Sequence, residues 1–133
     1  MFVDSDLPHT TGRTPLAPLW FRQHLETLAA DGVLPVWSEW WEPDTMRTLV
    51  ADAAVRARLE REMPKVPLSW FDQVIDEPAD WDATPCGYIL LGDGYREHAN
   101  DARARGWPVI EMPHSEHLHI AVDADGVAAA LLR

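Results

Sequence analysis

Two compact, mainly apolar runs in the last third of the chain constrain its fold most. Cys86-Gly87-Tyr88-Ile89-Leu90-Leu91 and Trp107-Pro108-Val109-Ile110-Glu111-Met112 lack the alternation of a half-exposed strand. Compact runs of this kind belong to parallel strands covered on both faces. Between them lies a polar helical stretch, Tyr95 to Arg105, closed by Gly106. After them Val127, Ala130 and Leu131 line a terminal helix over 123–132. Strand, helix, strand, helix predicts right-handed parallel crossover units, and so an α/β fold. Met1-Phe2-Val3-Asp4 reads as the tail of a further strand, which breaks at the turn-forming Asp4-Ser5-Asp6-Leu7-Pro8.

The middle of the chain has a helical period instead. Leu16, Trp20, Phe21, His24, Leu25 and Leu28 recur at three and four, which predicts a helix over 15–30 that stops before Gly32. An aromatic loop follows over 33–43, with Trp37, Trp40 and Trp41 between Pro35 and Pro43. A second helix is expected from Asp44 to about Met63, carrying Met46, Leu49, Val50, Ala53, Ala54 and Ala57 on one face and an Asp52–Arg56 pair at i,i+4. A third is expected from Ser69 to Asp76. Residues 9–80 therefore read as a helical, Trp-rich segment. Its Trp20, Trp37, Trp40 and Trp41 are candidates either for core packing or for the wall of a pocket that takes a small apolar or aromatic molecule. The whole chain of 133 residues reads as a single domain, with strand and turn over 1–8, the helical segment over 9–80 and the strand-helix-strand-helix unit over 81–133.

Charge narrows the partners. Eleven Lys and Arg against 22 Asp and Glu give a net charge of -11, which repels a phosphate backbone, so no nucleic acid partner is expected. Arg56, Arg58 and Arg61 are interleaved with Glu60 and Glu62, a solvated face and not a basic stripe for a membrane surface. No apolar stretch reaches 18 residues, the N-terminus is not a basic-then-apolar leader, and Cys86 is the sole cysteine. These features point to a cytoplasmic protein without an intrachain disulfide.

The chemistry concentrates at the ends of the two late strands. His114, His117 and His119 fall within six residues after the second, and Asp93 follows the first between Gly92 and Gly94. Ligands of open parallel sheets bind at the carboxyl ends of the strands, so neighbouring strands would present Asp93 and His117 side by side. A carboxylate beside an imidazole fixes its tautomer and stabilises the imidazolium, which makes Asp93–His117 a candidate general base. The alternative for Asp93 is a plain turn residue, and for His117 a loop histidine. The three histidines match no characteristic zinc pattern, and no phosphate-cradling glycine loop occurs, so no metal or cofactor is expected.

Taken together, Phe2-Val3-Asp4-Ser5-Asp6-Leu7-Pro8, Pro35-Val36-Trp37-Ser38-Glu39-Trp40-Trp41, Tyr88-Ile89-Leu90-Leu91-Gly92-Asp93 and Glu116-His117-Leu118-His119-Ile120 with Val122-Asp123 resemble the C-terminal half of an α/β-hydrolase. The resemblance spans essentially the whole chain. It implies a partial α/β-hydrolase fold with a short parallel sheet of about three strands, in which residues 1–4 are strand six, residues 9 to about 80 the lid, Asp93 the triad acid after strand seven and His117 the triad histidine after strand eight. Two departures stand out. Glu116 occupies the place before the histidine where the family usually has Gly, and the family's G-x-S-x-G nucleophile elbow does not occur in these 133 residues. The resemblance therefore implies either an ester or related small-molecule hydrolase half that takes its nucleophile from elsewhere, or a truncated, non-hydrolytic relative. The latter would bind a small apolar ligand or use Asp93 and His117 for acid–base chemistry of the cyclase or isomerase type. An open sheet edge at residues 1–4 further implies association, as a homodimer or with a complementing N-terminal-half chain.

Overall fold

A computed structural model describes residues 1–8 and 12–132. In chain order the elements are β1 (Phe2–Val3), β2 (Arg13–Pro15), α1 (Leu19–Leu28), α2 (Thr45–Leu49), α3 (Ala53–Glu62), β3 (Val74–Asp76), β4 (Tyr88–Leu90), α4 (Arg96–Ala104), β5 (Val109–Glu111), α5 (His119–Val122) and α6 (Ala124–Leu131), with short 3-10 turns between several of them. They fall into two compact units, Met1–Thr10 with Pro78–Arg133, and Thr11–Glu77.

The first unit is a parallel α/β layer. Its three-stranded sheet has the order β1-β4-β5, all parallel, with Phe2 opposite Tyr88 and Tyr88 opposite Val109. The central strand β4 is buried throughout, as its unbroken apolar run demands. Alternate side chains go to opposite faces. Tyr88 and Leu90 pack with Leu7 and with Ala99 and Ala102 of α4, whereas Ile89 and Leu91 pack with Val127 and Ala130 of α6. The alanines of both helices let them lie close on the sheet. Among the described residues no helix is long and apolar enough to cross a membrane.

The second unit is helical around an aromatic core, with one small hairpin-like pair. Leu25 of α1, Leu34 and Trp40 are buried together, flanked by Phe21, Trp37, Trp41 and Phe71. Leu25 and Leu34 have no exposed surface. Truncating Leu25 to Ala leaves a cavity between α1 and the indole of Trp40. The expected cost is about 2–5 kcal/mol, read as a lower urea midpoint of the tryptophan emission. An unchanged midpoint would show that this cluster does not hold the unit together.

Several local expectations differ from the structure. The first helix starts at Leu19, not near Pro15, because Pro15 and Pro18 hold the residues before them extended, and Arg13–Pro15 instead pairs antiparallel with Val74–Asp76. The expected helix over Ser69 to Asp76 accordingly divides into a 3-10 turn at Leu68–Asp72 and strand β3. β-branched Val74 and Ile75 favour that strand. The long helix expected from Asp44 breaks at Val50-Ala51-Asp52. Asp52 spends its carboxylate on capping α3, accepting from the Ala54 and Val55 N–H groups at 2.8 and 2.9 Å, while Arg56 donates to the Val50 carbonyl at 2.7 Å. Asp52 and Arg56 thus cap the two sides of the same break, and the charge of Arg56 also favours the Asp52 carboxylate. Residues 119–122, just ahead of the expected terminal helix, form the short α5.

Candidate acid–histidine site

The site lies in the α/β unit, at the carboxyl ends of its strands. Strand β1 ends as the Asp4 N–H donates to the Ile89 carbonyl at 2.8 Å, and Asp4 then turns with φ of +43°. Left-handed backbone is costly for residues with a Cβ, and among these Asn and Asp tolerate it best. The turn directs the carboxylate along the end of the sheet instead of out to water. Oδ1 accepts from the N–H groups of Leu91 and Gly92 at 2.8 and 3.0 Å, the two residues that follow β4. Oδ2 lies 2.9 Å from Nδ1 of His117. The Asp4 side chain is 1% exposed, that of His117 39%.

Burial alone pushes the Asp4 carboxyl up, but the hydrogen bonds from His117, Gly92 and Leu91, with the imidazole's charge, outweigh it and hold the group below its ordinary value. Asp4 is thus a carboxylate and can only accept. The Nδ1 of His117 must donate, which puts the basic lone pair on Nε2. Tyr95 fixes the ring from its face, with centroids 5.0 Å apart and planes 24° apart.

Neighbours brace this pair. The hydroxyl of the fully buried Tyr88 donates to the Ser5 carbonyl at 2.7 Å and accepts from the Ser5 N–H at 3.0 Å, clamping the residue after Asp4. His98 accepts the Leu7 N–H on Nδ1 at 3.3 Å and lies 3.0 Å from Asp6 through Nε2, holding the next turn. Ser115 is buried, its hydroxyl shared between the carbonyls of Leu91 at 2.5 Å and Met112 at 2.6 Å. That bond ties the histidine loop to the end of β4. Gly92 permits the approach: a Cβ there would stand 3.3 Å from the backbone nitrogen of His117.

Asp93, the acid expected from the sequence, stands elsewhere. Its side chain is 88% exposed and accepts from Arg96 at 2.7 and 2.9 Å, and Arg96 in turn reaches Glu111 at 3.3 Å. The carboxylate within hydrogen-bond reach of His117 Nδ1 is that of Asp4. The rule that chemistry gathers at strand ends applies equally to β1, and Arg96 three residues after Asp93 was the available sign that Asp93 had another partner. His114, with φ of +59°, and His119, 3.9 Å from Asp123, do not join the pair. A cleft of about 510 Å³ opens beside the site between the ends of β4 and β5, with Asp93, Arg96, Glu111, His114 and Glu116 along it.

The four tryptophans singled out in the sequence gather in the helical unit. Trp37 meets Trp41 edge-on at 5.7 Å, Phe21 stacks on Trp41 at 5.8 Å and lies 6.3 Å from Trp40, and Trp20 lies 5.4 Å from Phe21. Trp20, Trp40 and Trp41 line a cleft of about 450 Å³ together with His24, Glu39 and Glu42, whereas Trp37 packs behind them. Comparison with family models, with curated proteins and with solved structures finds no match to this chain.

Proposed function

We propose that this chain is α/β-hydrolase-like and carries the acid and histidine of an acyl-transfer site, with Asp4 in the role that the resemblance gave to Asp93. The supporting observation is the 2.9 Å contact between His117 Nδ1 and a buried carboxylate that two backbone N–H groups hold in place. An imidazole so oriented accepts a proton on Nε2 from an attacking hydroxyl or water and returns it to the leaving group, while Asp4 stabilises the transient imidazolium. The nucleophile comes from outside these 133 residues, on a second polypeptide or a second segment, and the substrate is a small ester or related carbonyl compound with an apolar body. A second reading has one observation in its favour. The hydroxyl of Ser115, two residues from His117, is committed to two carbonyls. The pair would then act on a substrate proton directly, in a non-hydrolytic acid–base step.

The test is p-nitrophenyl ester turnover together with labelling by a serine-reactive phosphonate, on the protein isolated with whatever chains accompany it. The phosphonate adduct is expected on a serine outside this chain, and His117→Ala is expected to reduce both turnover and labelling by about 100-fold or more. Turnover unchanged in the His117 variant would refute the role of the pair. Substrate proton exchange that depends on His117, with no ester turnover and no adduct, would favour the second reading.

A further inference from the structure

We propose that the aromatic cleft of the helical unit binds an organic cation, of the quaternary ammonium or similarly alkylated amine class. This inference is independent of the acid–histidine reading, since every residue it uses belongs to the Thr11–Glu77 unit. The cleft combines three indoles with two carboxylates, and among the described residues no Lys or Arg lines it. Neither Glu39 nor Glu42 makes an ion pair among the described residues.

Each class of small molecule fares differently there. An anion meets two like charges and the negative faces of aromatic rings. A neutral apolar molecule gains from the rings but nothing from Glu39 and Glu42. A cation gains from both, because indole is the strongest of the aromatic faces for a positive charge and the two carboxylates along the cleft add attraction. A primary ammonium holds its water strongly, whereas an alkylated one sheds it easily and places methyl groups against the rings. Trp20 supports the same conclusion. It is 67% exposed, a large apolar surface left in water, next to the buried Trp40 and half-buried Trp41. The His24 ring is held beside them by its Nε2, 2.9 Å from the Trp40 carbonyl, so that this wall of the cleft is fixed before a ligand arrives. A volume of about 450 Å³ lies within the ordinary range for a small-molecule site.

Choline and 3,3-dimethyl-1-butanol share a shape and differ in charge, which makes them the probes for the full chain. Binding is followed on the indole N–H resonances of Trp20, Trp40 and Trp41, assigned through single Trp→Phe variants. Choline is expected to shift these three and to bind roughly tenfold more tightly than the alcohol, about 1.4 kcal/mol. The double variant E39Q/E42Q should abolish most of that preference and leave the alcohol's affinity as it was. Trp20→Leu, a change at an exposed position, should weaken choline several-fold with the fold intact. Equal affinity for the two probes, shifts confined to other tryptophans, no shift with choline at roughly 50 mM, or undiminished choline binding by E39Q/E42Q would each overturn the proposal.

Discussion

Asp4→Asn is expected to switch the tautomer of His117 and to remove essentially all of the turnover that depends on it. The two N–H groups of Leu91 and Gly92 face Oδ1 of Asp4, so a carboxamide at position 4 would direct its oxygen to them and its NH2 toward His117. Two donors cannot face each other at 2.9 Å. His117 responds by giving up its Nδ1 proton and carrying it on Nε2, where a base has to be vacant to work. Nitrogen-15 shifts of the imidazole distinguish the two tautomers. Wild type should show the proton on Nδ1 and the variant on Nε2, with His117-dependent turnover falling by about 10⁴. The same substitution weakens the fold, because a charge-assisted contact to a buried group is lost, by about 1–3 kcal/mol at neutral pH.

The pH dependence of that loss has a defined sign. The carboxyl of Asp4 is held below its ordinary value of 3.8 in the folded chain, so an unfolded chain binds this proton more readily than the folded one. Its contribution is complete above about pH 4 and disappears as the pH falls through the depressed folded value. Urea midpoints of wild type and Asp4→Asn should therefore differ at pH 7 and converge below 3.8. A constant gap across that range would mean that the carboxylate charge of Asp4 has no part in stability.

The sheet was legible in the sequence for a specific reason. Tyr88 to Leu91 is apolar without interruption because β4 has α4 on one face and α6 on the other, and that pattern needs no knowledge of distant residues. The helix break at Val50 to Asp52 was less visible. An aspartate inside an apolar repeat is equally compatible with a mid-helix i,i+4 pair and with an N-cap, and only the Ala54 and Val55 N–H groups on its carboxylate show that a helix starts there. The β2–β3 pair was hidden from any local window, because Arg13 and Asp76 are partners only through the chain's return. The site followed the same division. His117 could be found from the strand that precedes it. Its acid could not be chosen from spacing, since Asp4 and Asp93 both follow strands that flank or form the sheet centre. The difference between them is in the backbone: a left-handed turn aims Asp4 across the sheet end, and the start of α4 hands Asp93 to Arg96.

That left-handed turn makes Tyr88 the other position of large expected effect. Asp4 at φ of +43° is held through its neighbour Ser5, whose backbone is gripped on both its N–H and its carbonyl by a single phenol. Tyr88→Phe keeps the ring in the β4 core and deletes only the grip, leaving two backbone groups without their partner. A loss of about 1–3 kcal/mol is expected, with His117-dependent turnover falling although Tyr88 touches neither ring nitrogen. Imidazole nitrogen-15 spectra showing a mixture of tautomers would identify the cause as a slipped Asp4. Burial pushes the Tyr88 phenol well above its ordinary value of 10.0, opposed in part by the Ser5 hydrogen bond and reinforced by the charges of Asp4, Tyr95 and Asp6. A raised folded value means that this contribution is complete below about pH 10 and is lost as the pH rises beyond it, since the unfolded phenol ionises while the folded one stays neutral. Wild type should therefore lose stability above about pH 10 more steeply than Tyr88→Phe, narrowing the gap between them. Parallel curves through that range would place the phenol in contact with water, and with it the turn that presents Asp4 to His117.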